Sequence, residues 1–98
     1  MHIMLKKFGE TLLSRQAGKE AYGAFHPVLR EVKPNDTITI DFEGVATFSP
    51  SWGDEFFSSL FIDFKNPVEF IHATENPSVR LTLQLLEKIR EEKFTIKS

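Results

Sequence analysis

The sequence predicts an α/β fold, with a mainly parallel (mixed) sheet of about four strands packed against three main helices in a single domain over residues 1–98. Three observations carry that expectation. The hydrophobic period switches between two residues and three to four, in the order strand–helix–strand–helix–strand–helix. Strands joined through helices favour parallel pairing with right-handed crossovers. Ninety-eight residues suit one core, and ten phenylalanines can fill it without a disulfide or metal staple.

Residues 2–8 read as a first strand, with Ile3 and Leu5 on one face. After Gly9 a helix starts at Thr11 or Ser14 and sets Ala17, Ala21, Phe25, Val28, Leu29 and Val32 at helical spacing. Pro27 should kink or end it near His26, because proline removes a backbone donor. Lys33-Pro34-Asn35-Asp36 is a turn. Residues 37–42 alternate cleanly, sending Ile38, Ile40 and Phe42 to the core and Thr37, Thr39 and Asp41 elsewhere. A buried parallel strand is usually apolar throughout, so this alternation places the helices chiefly on one face. The second helix begins near Ser49-Pro50, carries Trp52, Phe56, Phe57, Leu60, Phe61 and Phe64, and ends at Asn66-Pro67. Residues 68–73 form a third strand. Asn76-Pro77 opens the last helix with a cap residue and proline at the first helical position, and Val79, Leu83, Leu86 and Ile89 form its apolar stripe. Residues 94–96 add a short edge strand.

Composition narrows the function. A formal net charge of −2, with acids and bases interspersed, argues against nucleic acid and anionic membranes as partners. The absence of cysteine excludes thiolate metal sites and cysteine nucleophiles, and fits a reducing compartment. The opening apolar stretch is too short for a signal peptide, and no run approaches a membrane span, so the cytoplasm is expected. His2, His26 and His72 are scattered without ligand spacing, so no metal and no cofactor is expected. No glycine-rich phosphate loop occurs. Asp54 and Glu55 are adjacent in a helix and should point different ways, and no histidine is placed as a base for a serine. An enzyme is therefore not the expectation.

A parallel sheet brings its strand-to-helix loops to one edge, the usual binding edge of open α/β folds. Here that edge should gather residues 11–15, 47–55 and 74–78, all hydroxyl-rich helix starts. Such residues serve caps for structural reasons as readily as they serve ligands. The most informative stretch runs from Ile40 to Phe56. Its Asp41-Phe42-Glu43-Gly44-Val45 and Ser51-Trp52-Gly53-Asp54-Glu55, with Ser14-Arg15 opening the first helix, resemble a STAS-like domain family of unknown function. That family is related to the STAS domains of bacterial anti-sigma factor antagonists. The resemblance spans about residues 8–90. It implies a non-catalytic regulatory module that binds a protein, such as a histidine-kinase-type ATPase or an anti-sigma factor. It also implies a serine at the second helix start whose phosphorylation breaks the complex, which here is Ser51. The antagonists carry Asp before Ser-Ser-Gly, whereas this chain has Ser49-Pro50-Ser51-Trp52, and Asp54 and Glu55 would repel a phosphate. The binding surface thus carries over more readily than the switch.

The partner-binding or phosphorylation residues expected are Ser51, Ser49, Trp52, Asp54, Glu55, Ser14 and Arg15. Each also has a structural reading. Ser51 and Asp54 fit a capping box, with Ser49 as the competing cap. Trp52 is either a core residue or an exposed anchor that matters more to binding than to folding. Arg15 either clamps Asp54 or Glu55 or holds a phosphate. The other functional reading is a small-molecule or nucleotide sensor at the same helix starts, which a concave pocket at the strand ends would favour. Both a monomer and a homodimer are compatible with the sequence.

Overall fold

Ile38-Thr39-Ile40-Asp41, the cleanest alternation in the chain, becomes an interior strand of the sheet. The computed structural model describes residues 1–97. In chain order the elements are β1 (His2–Met4), β2 (Thr11–Leu12), α1 (Arg15–Leu29), β3 (Ile38–Asp41), β4 (Thr47–Phe48), α2 (Pro50–Asp63), β5 (Val68–Ile71), α3 (Pro77–Arg90) and β6 (Thr95–Ile96). The main sheet has the order β1-β3-β5-β6 and is parallel throughout, with a helix between each pair of neighbours. The expected α/β class holds. β2 and β4 form a separate parallel pair.

Register divides the sheet into two faces. Ile3, Ile40, Phe70 and Ile96 lie side by side across the four strands, and the first three are buried. One residue earlier, His2, Thr39, Glu69 and Thr95 make a polar row on the opposite face. The apolar face joins residues of all three helices in one core, including Ala21, Phe25, Trp52, Phe56, Phe57, Leu83 and Leu86. Burying each leucine or phenylalanine of this core contributes about 1.5–3 kcal/mol. The helices cover one face, and the polar rows occupy the other.

α1 and α2 approach closely where α1 has no side chain. A Cβ on Gly18 would stand 2.6 Å from the Trp52 carbonyl oxygen, inside contact distance of the α2 backbone. Trp52 in turn stacks on Phe56 at 4.9 Å and 11°, and Phe8, Phe48 and Phe57 surround the pair. Gly44 has φ +83°, a backbone that favours glycine, and makes the turn from β3 toward β4.

Several local expectations change. The first strand stops at Met4, and residues 5–8 coil into a 3₁₀ turn that buries Leu5 and brings Phe8 against Phe25. Thr11 lies in β2, so Ser14 is the cap of α1, accepting from Ala17 N at 3.0 Å. Helix α1 passes through Pro27 and ends at Leu29. Pro27 sits in the last turn, where only the bond to the Gly23 carbonyl is lost and Arg30 N still donates to His26 O. The buried face of α1 is Gly18, Ala21, Tyr22, Phe25 and Leu29, while Ala17 and Val28 are exposed. Ile89, expected on the core stripe of α3, is 60% exposed.

Two substitutions in α1 test the close approach. Gly18→Ala is expected to cost about 1–3 kcal/mol in urea unfolding, as overpacking does. Gly23→Ala meets nothing within 4 Å and should be neutral or stabilising by up to about 1 kcal/mol. Phe42→Ala, which empties a buried aromatic site, should cost about 3–5 kcal/mol.

Candidate functional site

The three hydroxyl-rich helix starts do meet. β2 and β4 pair through Thr11–Thr47 and Leu12–Phe48, and the Ser49 hydroxyl donates to the Leu13 carbonyl. The start of α3 locks onto the same strand. Phe48 N donates to Ser78 Oγ at 3.0 Å, and Thr82 Oγ1 donates to Phe48 O at 2.7 Å. Asn76 accepts from Ser78 N and Val79 N as the cap of α3, and its amide donates to Val45 O and Ala46 O at 3.0 Å. Most of these hydroxyl and amide groups are therefore satisfied within the fold.

The two serines at the start of α2 divide their work. Ser49 is the cap, accepting from Trp52 N at 3.3 Å, with Pro50 as the first helical residue. Ser51, one residue into the helix, is exposed and not the cap. Asp54 does not complete a capping box with it. Its carboxylate accepts from Arg15 Nη1 at 2.9 Å and from Ser58 Oγ at 3.2 Å. The same Arg15 nitrogen donates to Glu55 at 3.0 Å. The adjacent acids were expected to diverge, yet both reach one guanidinium because α1 lies close enough to be shared. Their hydrogen bonds, Asp54 first, push the Arg15 pKa above its ordinary value. The group is well exposed, so solvent screens the clamp and its contribution to stability is small. Trp52 corrects the expectation of an exposed anchor: at 1% exposure its indole cannot meet a partner. Leu13, 47% exposed between β2 and the Ser14 cap, was missed because a lone apolar residue in a loop carries no sequence signal.

A second cluster lies on the polar face of the sheet. Asp41 points away from the core, as expected, yet it is only 2% exposed. His2 Nε2 meets Asp41 Oδ2 at 2.7 Å, and His72 Nδ1 meets Asp41 Oδ1 at 2.8 Å. Glu43 N donates to Oδ1 at 2.9 Å. His72, which follows β5, holds its ring there from a left-handed backbone at φ 51°. Burial works against the Asp41 charge, but the Glu43 amide, His72 and His2 more than offset it and hold the carboxyl below its usual range. The hydrogen bond to Asp41 raises the His72 pKa in turn. The three histidines are thus not all scattered: two converge on one carboxylate, while His26 sits apart beside Tyr22 and Phe64. Only the pairing of β1, β3 and β5 brings residues 2, 41 and 72 together, and no spacing in the sequence announces it. Beside this cluster, a cleft of about 600 Å³ opens at the carboxyl ends of β3 and β5, lined by Glu43, Gly44, His72, Glu75 and Asn76 among others.

The division of labour at α2 is measurable by thermal or urea unfolding. Ser49→Ala should cost about 0.5–2 kcal/mol, whereas Ser51→Ala should stay within about 0.5 kcal/mol. Trp52→Ala should cost about 3–5 kcal/mol.

No helix among the described residues is long and apolar enough to cross a membrane. No curated protein and no solved structure matches the chain. One family model does, over residues 17–77, and it is described as a STAS-like domain of unknown function (DUF4325). The match takes in both Asp41–Val45 and Ser51–Glu55, begins just after Ser14-Arg15, and covers more than half of the chain. On that match and the parallel α/β architecture, the chain belongs to the family of STAS-like domains of unknown function.

Proposed function

We propose that this domain is a non-catalytic, cytoplasmic regulatory module that binds a protein through the paired starts of α1 and α2. The observation that carries this reading is the exposure of Ser51. Its neighbour Ser49 performs the cap, so the Ser51 side chain is not committed to holding the helix. One turn on in α2, Asp54 and Glu55 hold Arg15 of the α1 start, next to the Ser14 cap, and Leu13 supplies apolar surface beside that cap. A charged, exposed clamp beside a lone leucine suits a polar interface of modest affinity. The STAS family resemblance makes a histidine-kinase-type ATPase or an anti-sigma factor the partner to try first.

Phosphorylation of Ser51 is the proposed control. A phosphate in the first turn of α2 gains from the helix dipole and competes with Asp54 and Glu55 for Arg15. The two acids oppose it, but Arg15 already partly neutralises them. The modification would therefore act by redistributing the clamp, changing the charge a partner meets without unfolding the helix.

The sensor reading has one observation in its favour, the cleft at the ends of β3 and β5. Glu43 and Glu75 line it, however, and two carboxylates disfavour a nucleotide phosphate. The binding-module reading is the better supported.

Affinity capture from cytosol with the wild-type chain, Ser51→Ala and Ser51→Asp tests it, with intact-mass measurement of the recovered bait. All three variants should melt within a few degrees of each other. A specific protein should be retained by wild type and Ser51→Ala and released by Ser51→Asp, and the wild-type bait should gain the mass of one phosphate. Identical retention by all three would overturn the control by Ser51. Retention unaffected by Arg15→Glu as well would overturn the proposed face.

A further inference from the structure

Away from the α1–α2 face, we propose that Asp41, Glu43 and His72 form a binding site for a divalent transition-metal ion of the zinc type at the mouth of the cleft. One ligand-type atom from each residue lies within 4.8 Å of the others. They come from three different places: the end of β3, the turn that follows it, and the residue after β5. His72 Nδ1 stands 2.8 Å from Asp41 Oδ1 and 4.0 Å from Glu43 Oε2. Ligands about 2.0–2.2 Å from a shared ion lie roughly 3–3.5 Å from one another, so the two separations bracket what an ion needs. Glu43 is the residue that must move, and its side chain is 65% exposed and free to swing.

The supporting contacts are those that a metal carboxylate requires. Asp41 is fixed by the Glu43 amide on Oδ1 and by His2 on Oδ2. Such outer contacts hold a ligating carboxylate in one orientation. The proton now shared by His72 Nδ1 and Asp41 occupies the position that the ion would take, so binding would release it. Neutral imidazole with two carboxylates carries a charge of −2, and Glu75 lines the same cleft. That charge matches a divalent cation. The nitrogen ligand selects zinc or a similar first-row ion over magnesium or calcium, which take oxygen ligands. The open cleft leaves space for water in the remaining positions.

Titration of the metal-free full chain with Zn²⁺, read by calorimetry and by the melting temperature, tests the site. One ion per chain should bind saturably and raise the melting temperature, while Mg²⁺ at the same concentration should do neither. Asp41→Asn removes a buried charge and could fail to fold, so Glu43→Gln is the decisive variant. It should melt like wild type without metal and, having lost a charged ligand, weaken binding by at least about 10-fold. His26→Gln, outside the cluster, should bind as wild type does. In NMR spectra the ring signals of His72 should shift on addition of Zn²⁺ and those of His26 should not. Equal affinity of Glu43→Gln and wild type, no saturable binding, a shift at His26 in place of His72, or equal response to Mg²⁺ would each overturn the proposal.

Discussion

The fold hangs on one absence, the missing side chain at Gly18. A helix pair whose backbones touch fixes both the depth and the rotation of α1 on α2. From that contact the rest of the α-face follows. Trp52 is pressed into the aromatic cluster with Phe8, Phe48 and Phe56, and nearly a full turn earlier on α1 Arg15 is carried to the start of α2. The surface clamp is therefore a product of core geometry. Its own energy is small, but the helix contact sets where Arg15 leaves α1 relative to Asp54 and Glu55.

The sequence announces the larger architecture because its signals are local. Alternation in residues 38–41, the Asn76-Pro77 start of α3 and the Ser49-Pro50 start of α2 each need only a few neighbouring residues, and each stands where the pattern puts it. Where reading fails, a distant group decides. The strand over residues 2–8 breaks after Met4 because Leu5 and Phe8 are wanted by the core that α1 and α2 build. Pro27 ends nothing because the helix was about to end in any case.

The candidate site divides in the same way. Ser14, Arg15, Ser49, Ser51, Asp54 and Glu55 are visible as polar residues at helix starts, and the structure brings them together on one surface. Which serine caps cannot be read from spacing alone, since Ser49 and Ser51 both offer an oxygen to the first turn. Trp52 stays open between core and anchor in the sequence because its neighbours in the chain are small or polar, while its ring is buried against Phe8 and Phe48 from other elements. The Asp41 cluster had no legible sign at all. Its members are brought together by strand register, which depends on the whole sheet.

That register also sets how the chain must find its native state. No strand of the main sheet pairs with a partner close in sequence: His2 meets Thr39, Ile38 meets Val68, and Glu69 meets Thr95. Every ladder has a helix to close around before its first hydrogen bond forms, so the entropy of loop closure is spent ahead of any return. The hydrogen bonds of the helices are local, whereas every ladder of the sheet joins segments distant in sequence. The polar face needs two such closures, β1 onto β3 and β3 onto β5. Asp41 acquires its two histidines only when the first, third and fifth strands have found one another, making that cluster a reporter of completed folding.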